Sequence, residues 1–354
     1  MSSTPHHRKF SLSKILYGLL GLFVFLLALQ LMRAGARGLA PILKSTDLLH
    51  TPINSLGFGW LGAYLVMSGS PVAAASLSLF DGNAITELQT FTMINGSRMG
   101  ASFIVLFIGF LYMLRGHEPK RSVSMGLLSL LTTWTIYVPV LIIGSAFIVN
   151  GTFDSVRISA ASTLVSFIDS IFTPIVQWIT SWAPGLLIFV VGVGVILLAF
   201  NLIDRALPDL HLGDTEFNQA PRLIYKPIVM FLLGGAVTTI SMSVSVSLSL
   251  LVPLSARGYI RRENVIPYIM GANITTFVDT LVASLFMNQP RAFTVVFVEM
   301  ATVAVISVII LLTSYRVYER LILKIANLIT GSRRNFSVFM LLLVGTPIIL
   351  LLIR

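Results

Sequence analysis

Hydrophobic positions in this chain fall into runs long enough to cross a bilayer, and several runs are cut by small or polar residues. Leu12–Leu43 reads as a first helix. Ile53–Phe80 is apolar but broken at Ser68-Gly69-Ser70-Pro71, where an interior proline removes a hydrogen bond and clashes with the preceding turn. Asp81-Gly82-Asn83 reads as a turn. Ile85–Leu114 restarts the helix with a polar interruption at Asn95-Gly96-Ser97-Arg98, and Val123–Val149 is a further span containing Pro139. Val156–Trp182 is less apolar and holds Asp169, Pro174 and two tryptophans, which predicts an interfacial or irregular helix.

The order then repeats. Leu186–Leu207 is a long apolar run, the polar loop Asp204–Lys226 follows, and Pro227–Leu254 is a second interrupted segment. That segment carries serine at every second position: Ser241, Ser243, Ser245, Ser247 and Ser249. It turns through Pro253 and Arg257-Gly258 and meets a second polar break in Val265–Met287, at Gly271-Ala272-Asn273-Ile274-Thr275-Thr276. Ala292–Thr313 is a span, Tyr315–Thr330 an amphipathic basic helix, and Phe336–Ile353 a last apolar segment. At an offset of 176, Gly59 falls on Gly235, Gly82 on Gly258 and Glu87 on Glu263. LLAFNLI at 197–203 echoes LLALQLM at 26–32 at an offset of 171, and Pro119 meets Pro290 at the same offset. A matched order of features is the signature of internal duplication.

The reading is an all-α polytopic transmembrane protein. It has two inverted structural repeats, each with a broken, re-entrant helical hairpin. Residues 1–11 form a cytoplasmic tail, 12–150 the first repeat, 151–184 a connecting interfacial helix and 185–314 the second repeat. The amphipathic helix and last span occupy 315–354.

Composition agrees. The 354 residues are 56% hydrophobic and 11% charged, with mean hydropathy +0.91, whereas soluble domains carry about 25% charged residues. The net charge of +10 lies mostly in loops at 8–14, 115–121, 257–262 and 316–334. That pattern suits the positive-inside rule and anionic lipid headgroups rather than nucleic acid. The basic residues Arg8, Lys9 and Lys14 before a full-length apolar run predict a retained first membrane helix, an N-terminus in the cytoplasm and a place in the cell membrane. The sequence has no cysteine, and its five histidines show no metal-ligand spacing. No hydrolytic triad, phosphate-cradling loop or catalytic carboxylate pair is present, so no enzyme is expected.

The repeated unit resembles that of the type II sodium–phosphate cotransporter family, over roughly 19–145 and 186–315. Gly271-Ala272-Asn273-Ile274-Thr275-Thr276 nearly reproduces that family's GANIGT motif, with Gly258 and Pro267 at the family's spacing. Its QSSS position falls on Met242-Ser243-Val244-Ser245 and on Val66-Met67-Ser68-Gly69. The first-repeat copy of GANIGT falls on residues 95–100, with Arg98 inside it. The glutamine of QSSS is missing in both halves, and Asp279 stands where the family has a small or hydroxylated residue. The resemblance implies sodium-coupled uptake of inorganic phosphate or a related small anion by alternating access. It implies Na⁺ as the coupling ion and no other cofactor.

At each break, half-helix ends present free N–H groups and partial positive charge to an anion. The substrate-binding candidates are Ser68, Gly69, Ser70, Asn95, Ser97, Arg98, Ser243, Ser245, Asn273, Thr275 and Thr276. Ser241, Ser243 and Asp279 are the ion-coupling candidates, Asp279 for Na⁺ or a proton. The same serines and glycines also suit close helix packing alone. A charge in the hydrocarbon costs about 2.5–3.5 kcal/mol, so Arg98 and Asp279 need partners, and each other is one choice. Glu299 and Asp169 are further acidic candidates. Two alternatives stand beside transport of phosphate. One is proton-coupled transport of another solute; the other is a non-transporting sensor or scaffold that keeps the fold. A homodimer is compatible with either.

Overall fold

The computed structural model describes residues 12–46, 49–114, 119–207, 226–242, 244–249 and 262–353. The tail 1–11, most of the loop 204–226, Ser243, Pro253 and the Arg257-Gly258 turn lie outside the described residues. Every element among the described residues is helical: α1 Leu12–Ser45, α2 Pro52–Val66, α3 Ser70–Asp81, α4 Glu87–Leu114, α5 Pro119–Val149, α6 Ser162–Thr180, α7 Gly185–Ala206, α8 Pro227–Ser241, α9 Val244–Ser249, α10 Arg262–Thr275, α11 Val278–Leu285, α12 Ala292–Ile309, α13 Tyr315–Thr330 and α14 Arg333–Leu352. Eight of the described helical stretches are long and apolar enough to cross a membrane, so this is a multi-pass membrane protein.

The break at 68–71 forms where proline predicts it. Helix α2 ends at Met67 in the left-handed region (φ 53°), and α3 restarts with Pro71 in its first turn. The same ending recurs at Met242 (φ 47°) after α8. A side chain held left-handed is uncommon and strained, so its recurrence marks two equivalent helix ends. Two other expectations are corrected. Residues 95–98 do not interrupt α4, which runs unbroken from Glu87 to Leu114. The second break, expected over Gly271–Thr276, is confined to its far end: α10 runs on through Gly271 to Thr275, and the chain turns at Thr276-Phe277, where Thr276 N–H still donates to the Ala272 carbonyl at 3.1 Å.

Those glycines serve packing. A Cβ on Gly59 would lie 2.1 Å from the Met93 carbonyl oxygen, and one on Gly96 2.1 Å from that of Leu56. Helices α2 and α4 therefore touch backbone to backbone. In α8 and α10 the same close approach recurs: a Cβ on Gly234 would collide with the Tyr268 carbonyl oxygen and one on Gly271 with that of Phe231. The spacing between the two pairs is 175 (234 minus 59), not 176, so Gly271 matches Gly96 and Asn273 matches Arg98.

Helices α1 and α7 pack antiparallel along their length. Gly21 meets Ile203, Gly192 meets Met32, Gly35 meets Phe189 and Gly38 meets Gly185. Residues 162–180 form a regular 19-residue helix rather than an irregular one, with Trp178 exposed. Helices α12 and α13 join through a π-helical turn at Ile310–Ser314 into one 39-residue helix. At about 1.5 Å per residue it is roughly twice as long as a hydrocarbon core is thick. Asn54 caps two elements. It shares a capping box with Thr51 at the start of α2, and its Nδ2 donates to the Leu350, Leu351 and Ile353 carbonyls at the end of α14.

A Cβ at Gly59 has no room, so Gly59→Ala destabilises the protein by about 1–3 kcal/mol. Gly194→Ala, with nothing within 4 Å, changes stability by less than about 0.5 kcal/mol. Thermal unfolding in detergent measures both.

Candidate functional site

The charge at the centre is Arg98. Because Gly96 lets α2 close on one side of α4, the arginine two residues later faces the other side, toward α3 and the α10–α11 kink. Its Nη1 donates to Ser70 Oγ at 3.3 Å and to Thr276 Oγ1 at 3.2 Å; its Nη2 donates to Thr280 Oγ1 at 2.5 Å. The Phe277 ring lies under the guanidinium, with its centroid 4.8 Å from Cζ, a cation–π contact strengthened by the absence of water. Asp279 Oδ1 stands 3.6 Å from Nη2 and also accepts from Thr280 Oγ1 at 2.8 Å. The pair is buried, the side chains 4% and 3% exposed. It is loose as well: Arg98 Nε and Asp279 Oδ2 have no hydrogen-bond partner.

The kink itself explains why these side chains meet. Thr276 and Thr280 lie four apart and share a face, while Asp279 sits in the first turn of α11, where a carboxylate offsets the helix dipole. Next to this cluster is a second layer. Asn273 Nδ2 donates to Thr133 Oγ1 at 3.1 Å, and the Asn273 carbonyl accepts from Tyr137 Oη at 3.1 Å. Asn95 Nδ2 donates to the Tyr137 carbonyl at 3.3 Å. Glu299 on α12 faces Asn95 and feels the Arg98 charge.

No family model, curated protein or solved structure matches this chain.

Of the residues singled out in the sequence, Ser70, Arg98, Thr276 and Asp279 meet in one cluster, and Asn95 and Asn273 join it through Tyr137. Gly69 stays small because a Cβ there would lie 3.0 Å from the Ser97 carbonyl oxygen. Ser68 is half-buried in the break. Three candidates turn elsewhere. Ser97 Oγ donates back to the Ile94 carbonyl, Thr275 Oγ1 pins α10 to the Gly235 carbonyl at 2.9 Å, and Ser241 Oγ donates to the Thr238 carbonyl at 3.4 Å. Ser243 and the Ser245 side chain lie outside the described residues. Sequence reasoning missed Thr280, Phe277, Thr133 and Tyr137; the four-residue spacings Thr276–Thr280 and Thr133–Tyr137 are the signal that marks a shared face. Asp169 belongs to another region. It accepts from Gln30 Nε2 at 2.8 Å beside a cavity of about 350 Å³ between α1 and α6, lined also by Arg33 and Arg37.

Breaking one partner of a buried ion pair strands the other. Arg98→Met destabilises the protein by about 3–5 kcal/mol, whereas combining it with Asp279→Leu recovers most of that loss. Denaturation of the four proteins of this double-mutant cycle gives the coupling directly.

Proposed function

We propose that this protein is a secondary active transporter that takes up inorganic phosphate, or a related small anion, with sodium by alternating access. It is a divergent relative of the type II sodium–phosphate cotransporters. The observation that carries the reading is Arg98: a buried cation ringed by hydroxyls from both halves, with a loosely held counter-ion. An intramembrane ionisable residue is a functional-site hypothesis by default. An oxyanion that displaces the Asp279 carboxylate meets the guanidinium and the Ser70, Thr276 and Thr280 hydroxyls. The displaced carboxylate is then free to take the coupling cation. Binding of anion and cation is coupled because neither charge is stable alone in so buried a site.

The reading includes an inverted duplication, which suits the mechanism. The α1–α7 contact is self-complementary at the offset of 171: Gly21 against Ile203 maps onto Gly192 against Met32. A contact of that kind is what a two-fold axis produces. With it, the α2–α4 and α8–α10 hairpins rock as two related units around a fixed centre. The N-terminus lies in the cytoplasm in this reading, by the charge bias of the first helix.

One observation favours a second reading, a non-transporting scaffold: every terminal nitrogen of Arg98 already has a protein partner. Sodium-driven uptake of ³²P-phosphate into proteoliposomes separates the two. Transport predicts uptake that falls by more than about tenfold, the equivalent of one lost charged hydrogen bond, in Arg98→Gln and Asp279→Asn, and falls less in Ser70→Ala. Absence of uptake of any anion by the folded wild-type protein overturns it.

A further inference from the structure

Among the described residues, Glu299 is the one acidic side chain near the centre that the transport scheme leaves unused. It lies in the middle of α12, 0% exposed, and neither carboxyl oxygen has a hydrogen-bond partner. The Oδ1 atom of Asn95, the polar side chain that faces it, is also without a donor. Buried oxygens are almost always hydrogen-bonded, and three acceptors without a donor among them is an arrangement that lacks a hydrogen.

The neighbours do not supply it as a charge. Of the elements on α12, α4 brings Arg98 and α5 brings Tyr137. Arg98 spends its terminal N–H groups on Ser70, Thr276, Thr280 and Asp279. The Tyr137 hydroxyl is committed to the Asn273 carbonyl. Helix α11 brings Asp279, which is itself an acceptor beside Arg98. Helix α10 carries its charges, Arg262 and Glu263, in its first turn, and α3 carries only Asp81, held at its far end by Arg33. An ionised Glu299 would put a second carboxylate beside a guanidinium that already has one, in surroundings without water. A carboxylate left alone in such a place costs several kcal/mol.

We infer that Glu299 is a proton-binding site, loaded from water when the central cluster opens and holding its proton when the cluster is closed as it is here. The step is a single transfer. A proton from water forms an O–H bond at one Glu299 oxygen, the carboxylate becomes a neutral acid, and on release the bond breaks and the proton returns to water. The neutral acid gives the cluster its missing donor. This deepens the proposed transport reading by adding a proton to the ions that govern the site, and it rests on that reading only for the opening that lets water in.

Infrared spectroscopy of the full-length protein in nanodiscs tests it without any transport. The expected result is a protonated-carboxyl C=O band that disappears as pH is raised from mildly acidic to mildly alkaline and is absent from Glu299→Gln at every pH. Asn95→Leu serves as the second variant: it shifts the band, because the partner of the acid is gone, and leaves it titrating. A wild-type protein with no such band, or with a band that never titrates, overturns the inference. In proteoliposomes, wild-type uptake varies with pH and Glu299→Gln uptake is flat. No uptake of any anion alongside a titrating band sinks the transport reading and leaves the proton site standing.

Discussion

The interaction on which this structure turns is the one between the Arg98 guanidinium and the side chains that meet it across the middle of the protein. In lipid there is no water to finish the solvation of a charge, so each donor has to be matched from within. Ser70 comes from the restart of α3, Thr276 from the kink after α10, and Thr280 and Asp279 from α11. No single hairpin can supply all of them. The cation thus fixes how the two parts of the chain sit against each other, and the remaining packing serves to bring these groups within reach.

Close packing is what makes that reach possible. Leucine-lined helices stand too far apart for short hydroxyls to bridge them; glycine brings backbones into contact. Gly59 and Gly96 do this for α2 and α4, and Gly234 and Gly271 for α8 and α10. At the far end of α3, Arg33 of α1 pairs with Asp81 and donates to the Phe286 carbonyl at 2.6 Å, and the Arg291–Glu87 pair ties the start of α4 to the α11–α12 turn. Gln289 adds a backbone donor to Asp81 at 2.8 Å.

The cluster is also unevenly satisfied. Asn273, Thr133 and Tyr137 form a closed set of hydrogen bonds, whereas Arg98 Nε, Asp279 Oδ2, Asn95 Oδ1 and both Glu299 oxygens are left over. Partly satisfied polar networks destabilise a purely structural core. Five such atoms on four ionisable or amide side chains around Arg98 set this region apart from the satisfied set beside it.

Much of this was legible in the residues. Apolar runs set the helices, because in lipid only internally bonded backbone is stable. Proline and glycine at 68–71 set the first break, and the presence of Arg98 and Asp279 in apolar sequence required each to find a partner. What the chain order could not settle was register and direction. A helix tolerates Asn95-Gly96-Ser97-Arg98 without breaking because each side chain can face inward while the backbone bonds stay intact, so polarity in the sequence was mistaken for a break in the helix. That the Gly59/Gly96 and Gly234/Gly271 contacts lie 175 residues apart is visible only from which carbonyl each glycine approaches. Which hydroxyls turn into the centre and which bond back to their own helix, as Ser97 does, depends on neighbours brought near from far along the chain, and that is decided by packing in three dimensions.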